Sequence, residues 1–331
     1  NLVMTPVGVA DVGRHPESLT VGDFNQDGSL DIATVNSDSN NVSILLGNGN
    51  GTFQSAVSFK VGKSPMFLKA DDLNQDGLLD LVVAGTGSDQ IIVLLGRGNG
   101  VFEPGIYYHS GKGPTFLGLD DLDLDGDLDV VVINSGRFGY YPPYSLAIYL
   151  NDGHGQLGIP RMFEEQGSEG LFPTAVSIAD LTNDGLPDLA VTWSQPSWRT
   201  ANGFVLVLEN LGKGNFTRRQ KIQAGLTLSA LIQKDLDQDG NLDLITASVF
   251  TDSLNILLQE SIGKYTKPAQ LEVGFSPVAI RSSDLDGDGN PDLVATNRTS
   301  NSASILLGKG DGSFRQAGHY AIGVNPTGLS V

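Results

Sequence analysis

The sequence predicts an all-β protein, specifically a β-propeller of four-stranded blades. Three observations support this prediction. An acidic phrase of nine residues recurs six times along the 331-residue chain, each period holds four short β-rich segments, and no helical periodicity is visible. A repeat of about 50 residues with four strands is typical of a propeller blade, because each unit buries its apolar faces only against its neighbours.

The acidic phrase reads Asp-x-[Asn/Asp/Thr]-x-Asp-Gly-x-x-Asp, and we number its positions 1 to 9. Successive copies start 49, 49, 59, 55 and 49 residues apart, so the phrase marks the period of the fold. We call the copies loops 1 to 6 in chain order, and they occupy residues 23–31, 72–80, 121–129, 180–188, 235–243 and 284–292.

The first period shows the elements of one predicted blade. A short strand over 18–22 precedes loop 1, and a second strand over 31–35 follows it. A third strand is predicted over 41–46, a glycine-rich turn over 47–51 and a fourth strand over 53–61. Glycine suits this turn because it adopts positive φ without steric cost. The same order recurs in the other five periods.

We therefore predict six complete blades within a single domain, 1–331, plus partial strands at both ends. Residues 2–13 resemble a fourth strand and residues 326–331 resemble a first strand. A seven-bladed ring with an incomplete last blade is the preferred interpretation, and a closed six-bladed ring is the alternative, since an open sheet edge invites aggregation. The predicted blades are 14–62, 63–111, 112–168, 169–225, 226–274 and 275–323.

Composition excludes several classes of function. The net charge of −18 argues against nucleic acid and against anionic membrane surfaces. The absence of cysteine excludes disulfides, thiolate metal sites and a cysteine nucleophile, and no apolar run is long enough to predict membrane insertion. More than half of the 38 acidic residues lie in the six loops, so the acidity is mostly local. The sequence does not define an oligomeric state.

The spacing of the acidic phrase suits Ca²⁺. Calcium takes six to eight oxygen ligands, and alternate residues of a tight loop can turn their oxygens toward one centre. Positions 1, 3, 5 and 9 would supply side-chain oxygens, and position 7 its backbone carbonyl. The predicted ligands of about six structural calcium sites are Asp23, Asn25, Asp27, Ser29 and Asp31; Asp72, Asn74, Asp76, Leu78 and Asp80; Asp121, Asp123, Asp125, Asp127 and Asp129; Asp180, Thr182, Asp184, Leu186 and Asp188; Asp235, Asp237, Asp239, Asn241 and Asp243; and Asp284, Asp286, Asp288, Asn290 and Asp292.

Other interpretations of the loops are weaker. The phrases could be metal-free Asx-turns, but the aspartate at position 9 is present in all six copies. Magnesium requires a strict octahedron and retains its waters, and transition metals would favour histidine or cysteine, which the loops lack. Thr182 departs from the pattern, and because a hydroxyl is a weaker ligand than a carboxylate or amide oxygen, we expect loop 4 to bind most weakly.

The chain resembles the FG-GAP/VCBS repeat family, the bacterial relatives of the integrin α-subunit propeller. The resemblance rests on the acidic phrase, the apolar third strand and a Gly-x-Gly-x-Gly-x-Phe turn, as at 96–102 and 308–314. It covers about residues 18 to 323. The resemblance implies a β-propeller, most often of seven blades, with calcium in the loop between the first two strands of a blade. It also implies that ligands bind the face opposite these loops.

The two long spacings locate insertions between the second and third strands of blades three and four, at 134–144 and 193–203. Both tryptophans and three of the eight tyrosines of the chain lie there. Aromatic and arginine side chains on a rigid scaffold are typical contacts for a carbohydrate or a protein. Alternatively, the aromatic residues pack on one another or cover the central channel. The candidate ligand-binding residues are Arg137, Tyr140, Tyr141, Tyr144, Trp193, Trp198 and Arg199.

Three functions are open at this point. The preferred one is a calcium-stabilised, lectin-like or adhesive binding module, secreted or at the cell surface, for a glycan or an extracellular protein. It relies on analogy between folds. The second is a propeller-scaffold enzyme acting on polysaccharide, a lyase or dehydratase, although no nucleophile motif, histidine cluster or carboxylate pair occurs outside the loops. The third is an architectural segment of an adhesin.

Overall fold

A computed structural model describes residues 10–136, 143–165, 170–195 and 203–329 of the chain. These residues contain six four-stranded sheets and one two-stranded sheet, and every strand pair is antiparallel. In each four-stranded sheet the strands follow one another in chain order, which is the up-and-down order of a propeller blade. The chain divides into two compact units, Asn1–Glu164 and Glu165–Val331, with three four-stranded sheets in each.

The first unit contains sheets 1 to 3, named in chain order. Sheet 1 consists of β1 (Pro16–Gly22), β2 (Asp31–Asn36), β3 (Asn41–Leu45) and β4 (Val57–Lys60). Sheet 2 consists of β5 (Pro65–Asp71), β6 (Asp80–Gly85), β7 (Gln90–Leu94) and β8 (Ile106–His109). Sheet 3 consists of β9 (Pro114–Asp120), β10 (Asp129–Asn134), β11 (Ser145–Tyr149) and β12 (Arg161–Phe163).

The second unit contains sheets 4 to 6 and the two-stranded sheet. Sheet 4 consists of β13 (Phe172–Ala179), β14 (Asp188–Ser194), β15 (Gly203–Asn210) and β16 (Phe216–Gly225). Sheet 5 consists of β17 (Leu228–Lys234), β18 (Asp243–Ser248), β19 (Ser253–Leu257) and β22 (Ala269–Glu272). The hairpin of β20 (Gln259–Ser261) and β21 (Lys264–Tyr265) lies between the third and fourth strands of sheet 5 in the chain. Sheet 6 consists of β23 (Pro277–Ser283), β24 (Asp292–Asn297), β25 (Ser302–Gly308) and β26 (Phe314–Ala321).

The predicted all-β class with four-stranded blades is confirmed. Each of the six predicted blade intervals encloses one four-stranded sheet. The terminal segments differ from the expectation. Residues 10–13 and 326–329, the described parts of the two predicted terminal strands, lie in no strand. The remaining residues of the two predicted terminal strands lie outside the described ranges.

The core lies between neighbouring sheets. Alternate residues of a strand point to opposite faces, so a sheet packed on both sides needs apolar residues at every position. All six residues of β6 are buried. Leu81 and Val83 pack with residues of sheet 1, whereas Val82 and Ala84 pack with residues of sheet 3. This two-sided burial explains the continuous apolar runs 81–84 in β6 and 130–133 in β10.

Equivalent residues of β1 and β5 differ in burial. Leu19 and Leu68 both lie three residues after the proline that opens the strand, but Leu19 is 61% exposed and Leu68 is 2% exposed. Leu68 packs into the cluster between sheets 1 and 2.

We expect Leu68→Ala to lower the free energy of unfolding by about 2–5 kcal/mol, because the substitution leaves a cavity in this cluster. Leu19→Ala is the matched control and should change it by no more than about 0.5 kcal/mol. Urea unfolding of both variants measures the difference. Equal destabilisation by the two substitutions would contradict the packing described for sheet 1 and sheet 2.

Candidate metal centres

Each acidic loop connects the first strand of a sheet to the second. The phrase begins directly after the first strand, and its last aspartate is the first residue of the second strand. Loop placement between these two strands is therefore as predicted. The position 9 aspartates that open β2, β6, β10, β14, β18 and β24 are Asp31, Asp80, Asp129, Asp188, Asp243 and Asp292.

The carboxylate at position 1 folds back over its own loop. In loop 2, Asp72 accepts the backbone N–H of Asp76 at 3.1 Å and that of Gly77 at 2.8 Å. In all six loops the position 1 carboxylate accepts the N–H of the glycine at position 6, with N···O distances of 2.8 to 3.1 Å. Each loop therefore closes on the carboxylate of its own first residue.

The glycine at position 6 is required by the backbone. Gly77 has φ of +82° and Gly126 has φ of +96°, in the region that side chains other than glycine rarely adopt. A Cβ built on either glycine would meet no atom within 4 Å. Glycine is therefore needed for its conformation and not for close approach.

The carboxylate at position 5 closes the second half of the loop. Asp76 Oδ1 accepts the backbone N–H of Leu78 at 2.9 Å, and Asp27 Oδ1 accepts that of Ser29 at 2.7 Å. These are Asx-turn bonds, so the Asx-turn interpretation describes part of the geometry. In loops 3 to 6 the position 5 carboxylate accepts the same bond from the backbone N–H at position 7. The donors are Asp127, Leu186, Asn241 and Asn290.

The aspartate at position 9 has a role that the sequence did not reveal. Asp129 is buried, and its Oδ2 accepts the backbone N–H of Leu122, at position 2, at 3.0 Å. Its Oδ1 accepts the backbone N–H of Asn151, just after the third strand, at 2.8 Å. We call this pair of bonds the aspartate tie.

The aspartate tie is present in all six sheets, with N···O distances of 2.7 to 3.0 Å. The donors at position 2 are the backbone N–H groups of Phe24, Leu73, Leu122, Leu181, Leu236 and Leu285. The donors at the end of the third strand are those of Gly47, Gly96, Asn151, Asn210, Gln259 and Gly308.

Burial perturbs these carboxylates. Removal from water raises the pKa of Asp80 to about 6, that of Asp129 to about 7 and that of Asp243 to about 6, although the two N–H bonds oppose the shift. Burial likewise raises the pKa of Asp188. A charged carboxylate is costly in these positions, so a nearby cation would favour the ionised form.

Three of the six loops bring three carboxylates together. In loops 3, 5 and 6 the oxygens of each group lie within 4.8 Å of one another. These groups are Asp121, Asp123 and Asp129; Asp235, Asp237 and Asp239; and Asp284, Asp286 and Asp288.

Loops 1, 2 and 4 carry a neutral residue at position 3. Asn25 and Asn74 each place their amide beside the carboxylate at position 5, at 2.8 and 3.0 Å. Thr182 is buried, and its hydroxyl donates to Asp188 Oδ2 at 2.9 Å. Loop 4 thus differs from the others in structure as well as in sequence. The remaining predicted side-chain ligand of loop 4, Asp184, lies at position 5 as in the other loops.

Two orphaned oxygens mark loops 3 and 5 as places where a hard cation would fit. Asp123 Oδ1 in loop 3 and Asp235 Oδ1 in loop 5 are buried and have no hydrogen-bond partner. Leaving a buried acceptor unsatisfied costs about 1–3 kcal/mol, more for a charged one. Burial and the adjacent carboxylates Asp125 and Asp121 raise the pKa of Asp123. A divalent cation in each of these loops would bind its unsatisfied oxygen and offset the repulsion between the clustered carboxylates.

The long connections leave their sheets at the end opposite the acidic loops. In sheet 3, Asn134 pairs with Ser145 at one end, and Asp129 pairs with Asp120 at the other. In sheet 4, Ser194 pairs with Gly203 at the corresponding end. The strand ends that bound the connections 135–144 and 195–202 therefore lie away from loops 3 and 4, as predicted.

Two of the predicted ligand-binding residues lie in the described ranges. Tyr144 is half-buried just before β11, and burial raises its pKa. Trp193 is fully buried in β14 and stacks on Phe204, with ring centroids 6.1 Å apart. Trp193 is therefore a core residue and not an exposed loop residue, which corrects the prediction. All seven residues of β14 are buried, Trp193 among them. Arg137, Tyr140, Tyr141, Trp198 and Arg199 lie outside the described ranges.

Comparison with known proteins supports the repeat assignment. The family described as FG-GAP-like repeat matches residues 9–70, 121–191, 235–295 and 284–331, which is more than half of the chain. No protein with a curated description matches the chain in sequence.

Several solved structures are similar in fold. A protein from Lactobacillus plantarum has a TM-score of 0.67 and 13% identity, covering 97% of this chain and 89% of that chain. BBS1N in complex with ARL6DN has a TM-score of 0.60 and 12% identity, covering 96% and 84%. A catalytically inactive virginiamycin B lyase from Staphylococcus aureus with quinupristin has a TM-score of 0.56 and 14% identity, covering 93% and 84%. These similarities confirm the β-propeller fold.

The aspartate tie can be separated from metal binding. In the presence of a chelator, we expect Asp129→Ala to lower the free energy of unfolding by about 2 kcal/mol or more, because two buried N–H groups lose their acceptor. Asp125→Ala, at the exposed position 5 of the same loop, should cost less than about 1 kcal/mol under the same conditions. Urea unfolding measures both values. An Asp129→Ala variant as stable as the Asp125→Ala variant would show that the tie contributes nothing without metal.

Proposed function

Because the chain belongs to the FG-GAP-like repeat family, we propose that it is a calcium-stabilised, non-catalytic binding module. In this proposal it acts outside the cell, secreted or at the cell surface. It recognises a glycan or an extracellular protein at the sheet ends opposite the acidic loops. The observation that carries the calcium part is the pair of buried, unpartnered carboxylate oxygens in loops 3 and 5.

Calcium is the cation that suits the donor set. The loops offer carboxylates, amide oxygens and backbone carbonyls, which are hard oxygen ligands. The predicted ligands at positions 1, 3, 5, 7 and 9 would hold the ion, with Thr182 as the weakest donor. Bound calcium would neutralise the clustered carboxylates and, by binding the folded state only, stabilise it by mass action.

The exposure of the loops favours an extracellular location. Positions 4 to 6 of all six loops are exposed, so their ions would exchange with the surrounding solution. Extracellular calcium modules work with dissociation constants of about 10⁻⁴–10⁻³ M, which exposed and partly neutral loops such as loop 1 and loop 2 can meet. A membrane anchor is not part of this proposal, and within the described ranges no helix is long and apolar enough to cross a membrane.

The binding surface is proposed at the connections 135–144 and 195–202. Ligand contacts are commonly placed on loops that a rigid scaffold positions. The strands on either side of each connection are buried and paired to their last residue, so they form such a scaffold. BBS1N, which is similar in fold, was solved in complex with ARL6DN. That similarity supports a binding role without identifying the ligand.

Calcium should stabilise the protein strongly. We expect millimolar Ca²⁺ to raise the melting temperature above its value in chelator, because each site at a calcium concentration of ten times its dissociation constant contributes about 1.4 kcal/mol. Equimolar Mg²⁺ should have a much smaller effect. Differential scanning calorimetry measures the three midpoints. A midpoint that does not change with calcium would contradict a structural metal.

Loop 4 supplies a matched control for this measurement. Asp237→Thr copies into loop 5 the residue that loop 4 carries at position 3, and it leaves the aspartate tie of Asp243 intact. The variant should gain less stability from calcium than the unaltered protein, with a midpoint in chelator that is unchanged or higher. A calcium gain equal to that of the unaltered protein would exclude Asp237 as a ligand.

The ligand surface can be tested by grafting a short turn. Residues 86–89 join β6 to β7, whose terminal pair Gly85 and Gln90 corresponds to Asn134 and Ser145 in sheet 3. Replacing 135–144 by 86–89 should therefore preserve the sheet. We expect the graft to weaken binding at least about tenfold on a glycan array or on immobilised extracellular proteins, the loss typical of removing one strong contact residue.

A second graft, of 86–89 in place of 195–202, tests the connection of sheet 4 in the same way. The calcium-dependent rise in melting temperature should persist in both grafts, which shows that folding is intact. The ligand part of the proposal fails if the unaltered protein binds none of the probes, or if both grafts bind as well as the unaltered protein.

A further inference from the structure

The side chain at position 4 of an acidic loop reaches the next loop. In the first unit, Gln26 Nε2 donates to the carbonyl of Gly77 at 3.1 Å, which links loop 1 to loop 2. Gln75 Nε2 donates to the carbonyl of Gly126 at 2.6 Å and to Asp127 Oδ1 at 2.7 Å, which links loop 2 to loop 3. The acceptors lie at positions 6 and 7 of the receiving loop.

The second unit repeats these links. Asn183 Nδ2 donates to Asn241 Oδ1 at 3.0 Å, which links loop 4 to loop 5. Gln238 Nε2 donates to Asn290 Oδ1 at 2.8 Å and to the carbonyl of Gly289 at 3.4 Å, which links loop 5 to loop 6. The donor is a side-chain amide at position 4 in all four cases. We call these four contacts the amide relay.

The backbone conformation at position 4 would favour glycine, so the amide side chains found there need another explanation. Gln26, Gln75 and Gln238 have φ of 58°, 58° and 61°, a conformation that is uncommon for residues other than glycine. Glycine would adopt it at least cost, and Gly287 does so in loop 6. The amide side chains therefore occupy positions where the backbone alone would favour glycine.

The amide relay ends within each unit. In loop 3 the residue at position 4 is Leu124, which has the same φ of 59°, is 56% exposed and has no amide to donate. In loop 6 it is Gly287. The relay thus runs from loop 1 through loop 2 to loop 3, and separately from loop 4 through loop 5 to loop 6.

A second contact fixes each donating loop to the sheet that follows it. The position 2 carbonyl of Phe24 accepts the backbone N–H of Gly100 at 2.9 Å, and that of Leu73 accepts Asn151 Nδ2 at 2.7 Å. In the second unit the carbonyl of Leu181 accepts Gln259 Nε2 at 3.3 Å. Positions 2 and 4, on either side of the predicted ligand at position 3, are therefore both bonded to the next sheet.

We propose that the amide relay couples calcium binding between neighbouring loops, so that loops 1 to 3 load cooperatively and loops 4 to 6 load cooperatively. The inference rests on the proposed calcium sites. Position 4 lies between two predicted ligands, so an ion that fixes positions 3 and 5 also fixes the amide. The amide then holds positions 6 and 7 of the next loop, where the position 7 carbonyl is a predicted ligand. Coupling of this kind is reciprocal: each ion strengthens the binding of the other by the same factor.

Gln75→Leu breaks one link while preserving the backbone, because Leu124 already occupies the equivalent position with the same φ. Spectra of ¹⁵N-glycine-labelled protein during a calcium titration report each loop separately. The N–H of Gly77 donates to Asp72, and that of Gly126 donates to Asp121, so each signal senses ion capture in its own loop.

In the Gln75→Leu variant, the calcium midpoints of Gly77 and Gly126 should both shift to about fivefold higher concentration, which corresponds to a coupling free energy equal to that of one ordinary hydrogen bond. The midpoint of Gly240 in loop 5 should not change. Gln156→Leu is the control: an exposed glutamine outside the relay is replaced in the same way, and no midpoint should move.

Unchanged midpoints for Gly77 and Gly126 in the Gln75→Leu variant would overturn the relay, and so would an equal shift of Gly240, which indicates general destabilisation. If calcium moves no glycine signal in the unaltered protein, the proposed calcium sites themselves are wrong. The unaltered protein therefore distinguishes failure of the relay from failure of the metal sites.

Discussion

The aspartate tie is the interaction on which the rest of each blade depends. The strands are short, and the tie adds side-chain hydrogen bonds to the ladder at one end of each four-stranded sheet. A single buried carboxylate at the start of the second strand bonds the loop before it and the turn after the third strand, so it joins three segments. Asp80, for example, bonds Leu73 and Gly96, which are separated by more than twenty residues of chain. An ionised group is costly to bury unless its oxygens are bonded, and both oxygens are bonded here.

The tie also creates the demand for a cation. Burial raises the pKa of Asp80 and Asp129 far above that of a free aspartate, which shows that two N–H bonds do not fully replace water. The loop that the tie anchors then gathers further carboxylates beside it, as at Asp121 and Asp123. Structure and proposed metal binding are thus linked: the geometry that closes the blade concentrates the negative charge that calcium would neutralise. The acidic loops need no separate cationic partner to account for their charge.

The sequence predicted the fold well and the site only in part, for physical reasons. Repetition of the phrase revealed the period, and glycine at position 6 located the turn, because both are local properties. The role of Asp129 as a hydrogen-bond acceptor was not predictable, because a carboxylate that binds an ion and one that accepts N–H groups have the same sequence signature. Trp193 was misplaced because the predicted second strand ends after five residues, as at 31–35, whereas β14 runs for seven residues and includes Trp193. The amide relay involves residues about 50 positions apart, and a single period does not show such pairing.

Variation in the glycine turn shows what the tie requires. In sheets 1, 2 and 6 the second donor is a glycine, and a Cβ on Gly47 would lie 2.2 Å from the carbonyl oxygen of Leu30. That carbonyl belongs to position 8 of the acidic phrase, so glycine permits a close approach. In sheets 4 and 5 the donor is Asn210 or Gln259.

Where glycine permits close approach to the position 8 carbonyl, these two residues hydrogen-bond to that carbonyl instead. Asn210 Nδ2 donates to the position 8 carbonyl of Pro187 at 2.9 Å, and Gln259 Nε2 donates to that of Leu242 at 3.1 Å. Their backbone N–H groups still bond the position 9 aspartate. The sheets that lack glycine at this position therefore still form the aspartate tie. The tie needs a backbone N–H at the end of the third strand. Sheets 1, 2 and 6 supply it with glycine, and sheets 4 and 5 with a residue whose amide bonds the position 8 carbonyl. In sheet 3 the donor is Asn151, whose Nδ2 donates instead to the carbonyl of Leu73.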